Sequence, residues 1–179
     1  MLKGTSILLR PFKEEDLQQF QTWGQDRERL WGSYQRFQLD HVPQLIAAYQ
    51  HTKLLSRESG FFIIETKTDS RIVGFVRYNM THFPDADIPY PDIGFVITDP
   101  QARGKGYASE AVSLLLDYLF AGYPTQRISA ITDADNFPAQ KLLERIGFQC
   151  EGILRRVSFR DGKYCDWKIY SILRAEYQS

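Results

Sequence analysis

The stretch that decides the fold is Asp92-Ile-Gly-Phe-Val-Ile-Thr-Asp-Pro-Gln-Ala-Arg-Gly-Lys-Gly-Tyr-Ala-Ser-Glu-Ala111. An apolar strand runs into a short loop with Gly104 and Gly106, and an amphipathic helix begins directly after the loop. Glycine lets the backbone approach a ligand closely, and the first N–H groups of a helix have no partner within the helix. The helix dipole adds a partial positive charge at the same point. The stretch therefore predicts an anion site, for which phosphate is the natural ligand.

Two common phosphate motifs do not fit this loop. A P-loop requires glycine where the chain has Asp99, and serine or threonine where it has Gly106. A dinucleotide fingerprint that starts at Gly104 requires glycine or alanine where the chain has Ser109, and no βαβ unit with a suitably placed acidic residue is evident. The segment Gln101-Ala-Arg-Gly-Lys-Gly106 instead has the form Gln/Arg-x-x-Gly-x-Gly/Ala.

This loop resembles the acyl-CoA signature of the GNAT N-acetyltransferase superfamily, in which the loop amides hold the CoA pyrophosphate. Downstream, the stretch from Asn136 to Gly147 and Phe148 looks like the GNAT helix that ends in Gly-Phe. The tail over residues 152–173 looks like the RimJ/RimL branch, which acetylates protein N-termini and small amines. The resemblance spans the whole chain from Ile7-Leu-Leu-Arg-Pro-Phe12 onward.

The resemblance implies one GNAT domain over residues 1–179, of the α/β class. Its sheet is expected to be mixed, mostly antiparallel and of about seven strands flanked by helices, with a split between two central strands for acyl-CoA. The residue pattern gives the order of elements. Strands are predicted over about 6–10, 60–65, 71–80, 93–98 and 127–132, helices over 13–23, 42–55, 108–121 and 137–146, and a hairpin joins 148–159 to 163–173.

The resemblance also implies acetyl-CoA as co-substrate. In the family, the strand before the glycine loop separates from its neighbour, and its backbone amides hold the acyl carbonyl and the pantetheine arm. Val96 and Thr98 are the residues expected to do so here, and Asn136 is expected to contact the CoA arm. The implied contacts are Val96, Ile97, Thr98, Gln101, Ala102, Arg103, Gly104, Lys105, Gly106, Tyr107, Ala108 and Asn136.

Asp92 is the candidate general base, because related enzymes often carry glutamate at the start of this strand. The alternative is an ordinary carboxylate in a proline-rich turn, where aspartate is a favoured residue. An ordinary aspartate has a pKa of about 3.9 and is a weak base at neutral pH unless burial raises that pKa. The two interpretations stay open at this point.

The general acid departs from the pattern of the family, since the family's tyrosine corresponds to Leu143 in this chain. The remaining donors are Tyr107, Ser109, Tyr164 and Tyr170. A thiol leaving group with a pKa of about 8.5 needs little assistance.

The expected reaction is transfer of an acetyl group from acetyl-CoA to a primary amine, by direct attack on the thioester. A protein N-terminus or another α-amine is the first choice of acceptor. A small amine, such as a polyamine, an amino acid or an antibiotic, is the second. A catalytically silent acyl-CoA sensor is a hypothesis from another class, and Leu143 keeps it open.

Composition excludes several other functions. The chain has 179 residues and a net charge of zero, so broad attraction to nucleic acid or to a membrane surface is not expected. No apolar run is long enough to span a membrane and no signal-peptide core is present, so a cytoplasmic location is expected. The histidines, His41, His51 and His82, lack the spacing of metal ligands, so no metal is expected. Monomer and homodimer both remain open.

Two further expectations concern aromatic residues and cysteines. Trp31, Tyr34, Phe37, His82, Phe83 and Tyr90 lie in segments that line the acceptor cleft in relatives, or simply cap the core. Cys150 and Cys165 are predicted to be reduced and buried, several residue pairs apart in the terminal hairpin.

Overall fold

The computed structural model describes residues 1–26, 34 and 41–177. They form one eight-stranded sheet with strand order β1-β2-β3-β4-β5-β6-β8-β7. The strands are β1 Leu2–Lys3, β2 Ile7–Pro11, β3 Ser59–Thr66, β4 Ile72–Thr81, β5 Tyr90–Ile97, β6 Arg127–Asp133, β7 Gln149–Arg160 and β8 Lys163–Leu173. The helices are α1 Asp16–Gly24, α2 His41–Thr52, α3 Tyr107–Gly122 and α4 Phe137–Ile146, and a 3₁₀ turn covers Pro100–Ala102.

The predicted α/β class and the mixed, mostly antiparallel sheet are confirmed. Neighbouring strands pair antiparallel except β5 and β6, which pair parallel because α3 crosses over between them. The eighth strand is the short β1, which pairs with β2 through Leu2 opposite Leu9 and Lys3 opposite Leu8.

The two faces of the sheet have separate cores. On one, here called the α3 face, α3 and α4 cover a large, mostly aliphatic cluster that includes Ile93 of β5 and Leu115 of α3. On the other, the α1–α2 face, α1 and α2 cover an aromatic cluster that includes Phe12, Phe20 and Phe75. Successive side chains along a strand point to opposite faces, so β5 directs Ile93 to the first face and its neighbours to the second.

The first two helices are shorter than the apolar pattern predicted. Helix α1 begins at Asp16 rather than at residue 13, because the carboxylate of Asp16 accepts a hydrogen bond from the Lys13 N–H at 2.8 Å and fixes the preceding turn. Helix α2 ends at Thr52, since Lys53 and Leu54 take positive φ angles of 55° and 56° that a right-handed helix does not allow.

The terminal hairpin is confirmed, but its register is shifted by irregularities after Cys150 and after Leu154. Such bulges change which side chains oppose one another and where they point. Cys150 lies opposite Tyr170, and Cys165 lies opposite Ser158. Both thiols are free, but Cys150 is exposed and Cys165 is half-buried, so the prediction that both are buried is wrong.

Candidate active site

The two central strands separate after a short paired stretch. In the described structure β5 and β6 pair through Asp92 opposite Ser129 and Ile93 opposite Ala130, and the pairing ends there. On its other side β5 stays paired with β4 from Tyr90 to Ile97. The backbone groups of β5 that point toward β6 beyond Ile93 therefore face a gap, which is the split that the resemblance implied.

The register of β5 shows which backbone groups face this split, and it corrects the sequence expectation. The N–H of Thr98 donates to the Val73 oxygen of β4 at 2.9 Å. Hydrogen-bonded and non-hydrogen-bonded pairs alternate along an antiparallel ladder, so Val96 also directs its backbone groups toward β4. The groups that face the split belong to Phe95 and Ile97. The choice of Val96 and Thr98 was wrong by one residue, because the sequence does not show which neighbour each N–H meets.

A cavity of about 580 Å³ adjoins the split. It lies between β5, the glycine loop, the first turn of α3 and one face of α4. Its walls are mostly apolar, with a few polar groups near the loop. The lining residues are Tyr34, Phe95, Ile97, Ala102, Arg103, Gly104, Gly106, Tyr107, Ala108, Ser109, Asn136, Pro138, Ala139, Leu142 and Arg145.

The loop has the backbone that an anion site requires. Gly104 and Gly106 have φ angles of 76° and 84°, a left-handed conformation that glycine adopts without strain. Gly106 is the N-cap of α3, and no side chain caps this helix. The first N–H groups of α3 are therefore available as donors, and the dipole of this 16-residue helix favours negative charge there.

Helix α4 begins differently. Oδ1 of Asn136 accepts a hydrogen bond from the Ala139 N–H at 3.3 Å, so Asn136 is its N-cap, as predicted. This bond occupies one oxygen and leaves the amide nitrogen for another partner. Because Asn136 also lines the cavity, it is placed where a contact to a bound ligand was expected.

The structure brings together most of the predicted contact residues, but not all. Those that line the cavity are Ile97, Ala102, Arg103, Gly104, Gly106, Tyr107, Ala108 and Asn136. Val96, Thr98, Gln101 and Lys105 do not. Arg103 also reaches the split, since its Nε donates to the Ile97 oxygen at 3.3 Å.

Asp92 lies within β5, not in the proline-rich turn that was its alternative placement. Its side chain is on the α1–α2 face, and its Oδ1 accepts a hydrogen bond from Oγ of Ser129 at 2.8 Å. Burial raises the pKa of Asp92, while the Ser129 bond and the positive charge of Arg77 oppose that rise. The result is a carboxylate beside the split that binds a proton more readily than an ordinary aspartate does.

Other polar groups continue from Asp92 across the same face. Ser129 lies opposite Ser171 of β8, whose Oγ donates to Glu151 of β7 at 2.6 Å. Nη1 of Arg127 also donates to Glu151 at 2.6 Å, and this bond lowers the pKa of Glu151 to about 2. The guanidinium of Arg127 lies 5.2 Å from the centre of the Tyr90 ring.

The candidate general acids differ in their access to the cavity. Leu143, at the family's tyrosine position, is 1% exposed in the aliphatic core and donates nothing. Tyr107 and Ser109 line the cavity. Tyr164 is 68% exposed, and the buried Tyr170 donates to Glu144 at 3.1 Å, with its pKa raised by burial.

The aromatic residues assigned to the acceptor cleft are dispersed. Tyr34 lines the cavity, and the guanidinium of Arg160 lies 5.7 Å from its ring. His82 contacts Glu58 at 3.0 Å, and Phe83 is 79% exposed. Trp31 and Phe37 lie outside the described residues.

Two kinds of feature are absent from the described residues. Across 1–26, 34 and 41–177, no group of histidine, cysteine and acidic side chains is arranged to hold a metal ion. No helix in this part of the chain is long and apolar enough to cross a membrane.

Comparisons with known proteins agree with this geometry. The sequence model of the acetyltransferase (GNAT) domain matches residues 6–149. An uncharacterised N-acetyltransferase of Bacillus licheniformis is 34% identical over 133 residues, which cover 74% of this chain and 72% of that protein.

Solved structures share the fold at lower identity. Spermidine N-acetyltransferase from Vibrio cholerae, in complex with CoA and spermine, superposes with a TM-score of 0.79 at 23% identity, over 97% of this chain and 99% of that one. RimJ of Mycobacterium smegmatis, in complex with CoA-disulfide, superposes with a TM-score of 0.80 at 23% identity, over 97% of this chain and 84% of that one.

Proposed function

Because the chain belongs to the GNAT acetyltransferase family, we propose that it transfers the acetyl group of acetyl-CoA to an α-amine, at a protein N-terminus or on a small molecule. N-acetyl transfer is the activity of this family, and the fold is the GNAT fold. The identity of the acceptor is the proposed part.

The residues around the cavity fit acetyl-CoA. Two left-handed glycines and the uncapped N-terminus of α3 supply backbone donors for phosphate. Beyond them, Phe95 and Ile97 present backbone groups at the split for the acyl end. When bound, acetyl-CoA supplies an activated thioester, so the chain need only orient it and deliver a neutral amine.

Asp92 is the residue that we assign to the proton of the amine. Its Oδ1 is engaged by Ser129, so Oδ2 is the atom that would take the proton, directly or through water. Burial raises the pKa of Asp92, which brings this carboxylate closer to the range in which a general base is effective. Preorganised backbone donors at the split then stabilise the charge that develops on the acyl oxygen.

We choose an α-amine because nearly all carboxylates on the strands of the α1–α2 face already form ion pairs with arginines. Glu65, Asp133 and Glu151 each form an ion pair with an arginine. Across the described strands of this face, Asp92 is the carboxylate without such a pair. A polyamine carries several positive charges and would require several available carboxylates, whereas a single α-amine requires one.

The free-energy cost of removing a proton from the amine also favours an α-amine as acceptor. A free α-amine has a pKa of about 7.7–8.0 and a lysine amine one of about 10.4. Deprotonation at pH 7 therefore costs about 1 kcal/mol for the first and over about 4 kcal/mol for the second. A single carboxylate, without the family's tyrosine at Leu143, is better matched to the smaller cost.

A polyamine acceptor is the second candidate, and one comparison favours it. The spermidine N-acetyltransferase of Vibrio cholerae shares the fold over 97% of this chain. The RimJ/RimL assignment rests on the sequence of the tail and on the fold shared with RimJ. A cytoplasmic location and a monomeric or homodimeric state stay predictions.

An acceptor screen tests the proposal. The protein is incubated with acetyl-CoA and one amine at a time, from α-amino acids, short peptides, polyamines and amine-bearing antibiotics, and released CoA is measured. Release that depends on an α-amine supports the proposed function. Release with polyamines alone supports the second candidate, and acetyl-CoA binding without release for any amine indicates the silent sensor.

A further inference from the structure

The side chain of Arg77 lies across the central strands on the α1–α2 face. Arg77 is opposite Gly94 in the β4–β5 ladder and is exposed, although both strands are in the middle of the sheet. A Cβ atom at Gly94 would lie 3.1 Å from Nε and 3.3 Å from Cζ of Arg77. The missing side chain at position 94 therefore makes the room in which this guanidinium lies.

Arg77 differs from the other arginines of this face. Arg10, Arg127 and Arg160 each bind a carboxylate of the protein. For Arg77, the described residues provide no carboxylate within ion-pair distance. Its protein contact is the side-chain oxygen of Asn79, which accepts from Nη1 when that amide is oriented to satisfy both groups. Most of the five donors of the guanidinium are left for a ligand.

Arg77 lies close to Asp92 and to the point where β5 and β6 separate. Gly94 follows Asp92 by two residues along β5, a distance of about 7 Å. Gly94 is also the first residue of β5 beyond the pairing with β6, where the split begins. An amine held between Asp92 and the split thus places the substituent on its α-carbon within reach of Arg77. The group that matches a guanidinium in both charge and geometry is a carboxylate, through two parallel hydrogen bonds.

We propose that Arg77 binds a carboxylate that the acceptor carries next to its amine, so that such acceptors are preferred to their uncharged analogues. This inference rests on the proposed function, because it takes the amine to lie near Asp92. The carboxylate comes either from a free α-amino acid or from an acidic side chain at the start of a peptide. A polyamine offers no such group, and the same charge repels it.

Two matched pairs of acceptors test the proposal. The first pair is alanine and alaninamide, and the second is a short peptide with aspartate at position 1 and its asparagine analogue. The ratio of kcat/KM within each pair is measured by CoA release for the wild type, Arg77→Gln, Arg77→Lys and the control Arg57→Gln. Arg57 is an exposed arginine of the loop before β3 with the same change in charge. Comparing ratios between variants cancels the difference in amine pKa within a pair.

The ratio is the kcat/KM of the acceptor with the carboxylate divided by that of its uncharged analogue. In Arg77→Gln this ratio is expected to fall about 10–100-fold, since a hydrogen bond to a charged group is lost. Arg77→Lys should retain part of the preference, and Arg57→Gln all of it. The KM for acetyl-CoA should stay unchanged in every variant. The pair whose ratio falls identifies the source of the carboxylate.

Unchanged ratios in an active Arg77→Gln variant would overturn the assignment of Arg77 and leave the proposed function intact. Equal losses for both members of a pair would also overturn it, because they indicate a general effect on Asp92 or on the fold. If Arg77→Gln does not fold, the ratio in Arg77→Lys decides, and a wild-type ratio there contradicts bidentate binding. A wild type that acetylates no α-amine removes the proposed function itself.

Discussion

Oγ of Ser129 donates a 2.8 Å hydrogen bond to Oδ1 of Asp92, at the first of the two residue pairs that join β5 to β6. This bond joins the strands immediately before they separate, and it fixes one oxygen of the carboxylate. The other oxygen is left to act on a ligand. In the proposed reaction Ser129 would position Asp92, and its hydrogen bond limits how far burial raises the pKa of that carboxylate.

Replacing Ser129 by alanine should shift the pH dependence of the reaction. A base must be deprotonated to act, so kcat/KM rises as the pH increases through the pKa of Asp92. Without the Ser129 bond that pKa moves further up, and the acidic limb of the profile should move to higher pH. Arg77 on β4 is the other charged group that acts on Asp92, and it is unchanged in this variant.

Ser129→Thr retains the hydroxyl and should retain the wild-type profile, which makes it the matched control. A purely structural role for Ser129 would lower the rate equally at all pH values. That result, in a folded Ser129→Ala variant, would contradict the assignment.

Asp92→Asn should lower kcat at neutral pH by about a hundredfold or more, with nearly unchanged affinity for acetyl-CoA. The rate should partly recover at high pH, where the amine loses its proton without help. Steady-state kinetics and a binding titration measure the two quantities separately. A wild-type rate would leave Asp92 without a catalytic role.

The same substitution should affect stability in the opposite direction. Because burial raises the pKa of Asp92 in the folded state, the ionised carboxylate opposes folding, and its contribution to stability is lost as the pH rises through that raised pKa. Relative to wild type, Asp92→Asn should therefore be more stable at neutral pH than at acidic pH. Its free energy of unfolding minus that of the wild type should be larger at neutral pH. Urea unfolding at both pH values measures the difference.

Gly104→Asp should abolish the stabilisation of the fold by acetyl-CoA, which for the wild type is about 2.7 kcal/mol at a hundredfold excess over Kd. Gly104 has a φ of 76°, and a Cβ atom there meets no atom within 4 Å. Asparagine and aspartate both tolerate this conformation, so Gly104→Asn is a control of the same shape without the charge. Thermal unfolding with and without acetyl-CoA should show a shift for asparagine and none for aspartate. Equal shifts would place the phosphate elsewhere.

Arg10→Met should destabilise the fold by about 3–5 kcal/mol, because it leaves the buried carboxylate of Asp16 and the half-buried one of Glu65 without this partner. Arg10 is 7% exposed and binds Asp16 of α1 through Nη1 at 2.7 Å and Nη2 at 2.8 Å, while its Nε binds Glu65 of β3 at 2.6 Å. Arg71→Met, which removes an arginine whose side chain is 42% exposed, should cost much less. A small loss for Arg10→Met in urea unfolding would show that this network is not needed to hold α1 on the sheet.

The sequence predicts those parts of the molecule that local chemistry determines. The bounds of α4 were predicted correctly because Asn136 caps its start and Gly147, with a φ of 110°, ends it. The glycine loop was recognised for the same reason. The backbone direction of Phe95 and Ile97 was missed, because it depends on the pairing of β5 with β4. The contacts of Asp92 with Ser129, and of Arg77 with the space over Gly94, join separate strands and leave no local pattern.

The most direct test of the proposed function is a competition between three acceptors in one reaction. Equimolar amounts of a lysine-free peptide with a free N-terminus, an N-blocked peptide with one lysine, and spermidine are incubated with the protein and limiting acetyl-CoA, and the acetylated products are measured by mass spectrometry. Acetylation of the free N-terminus is expected to exceed that of both other acceptors. Preferential acetylation of spermidine or of the blocked lysine peptide would contradict an α-amine acceptor.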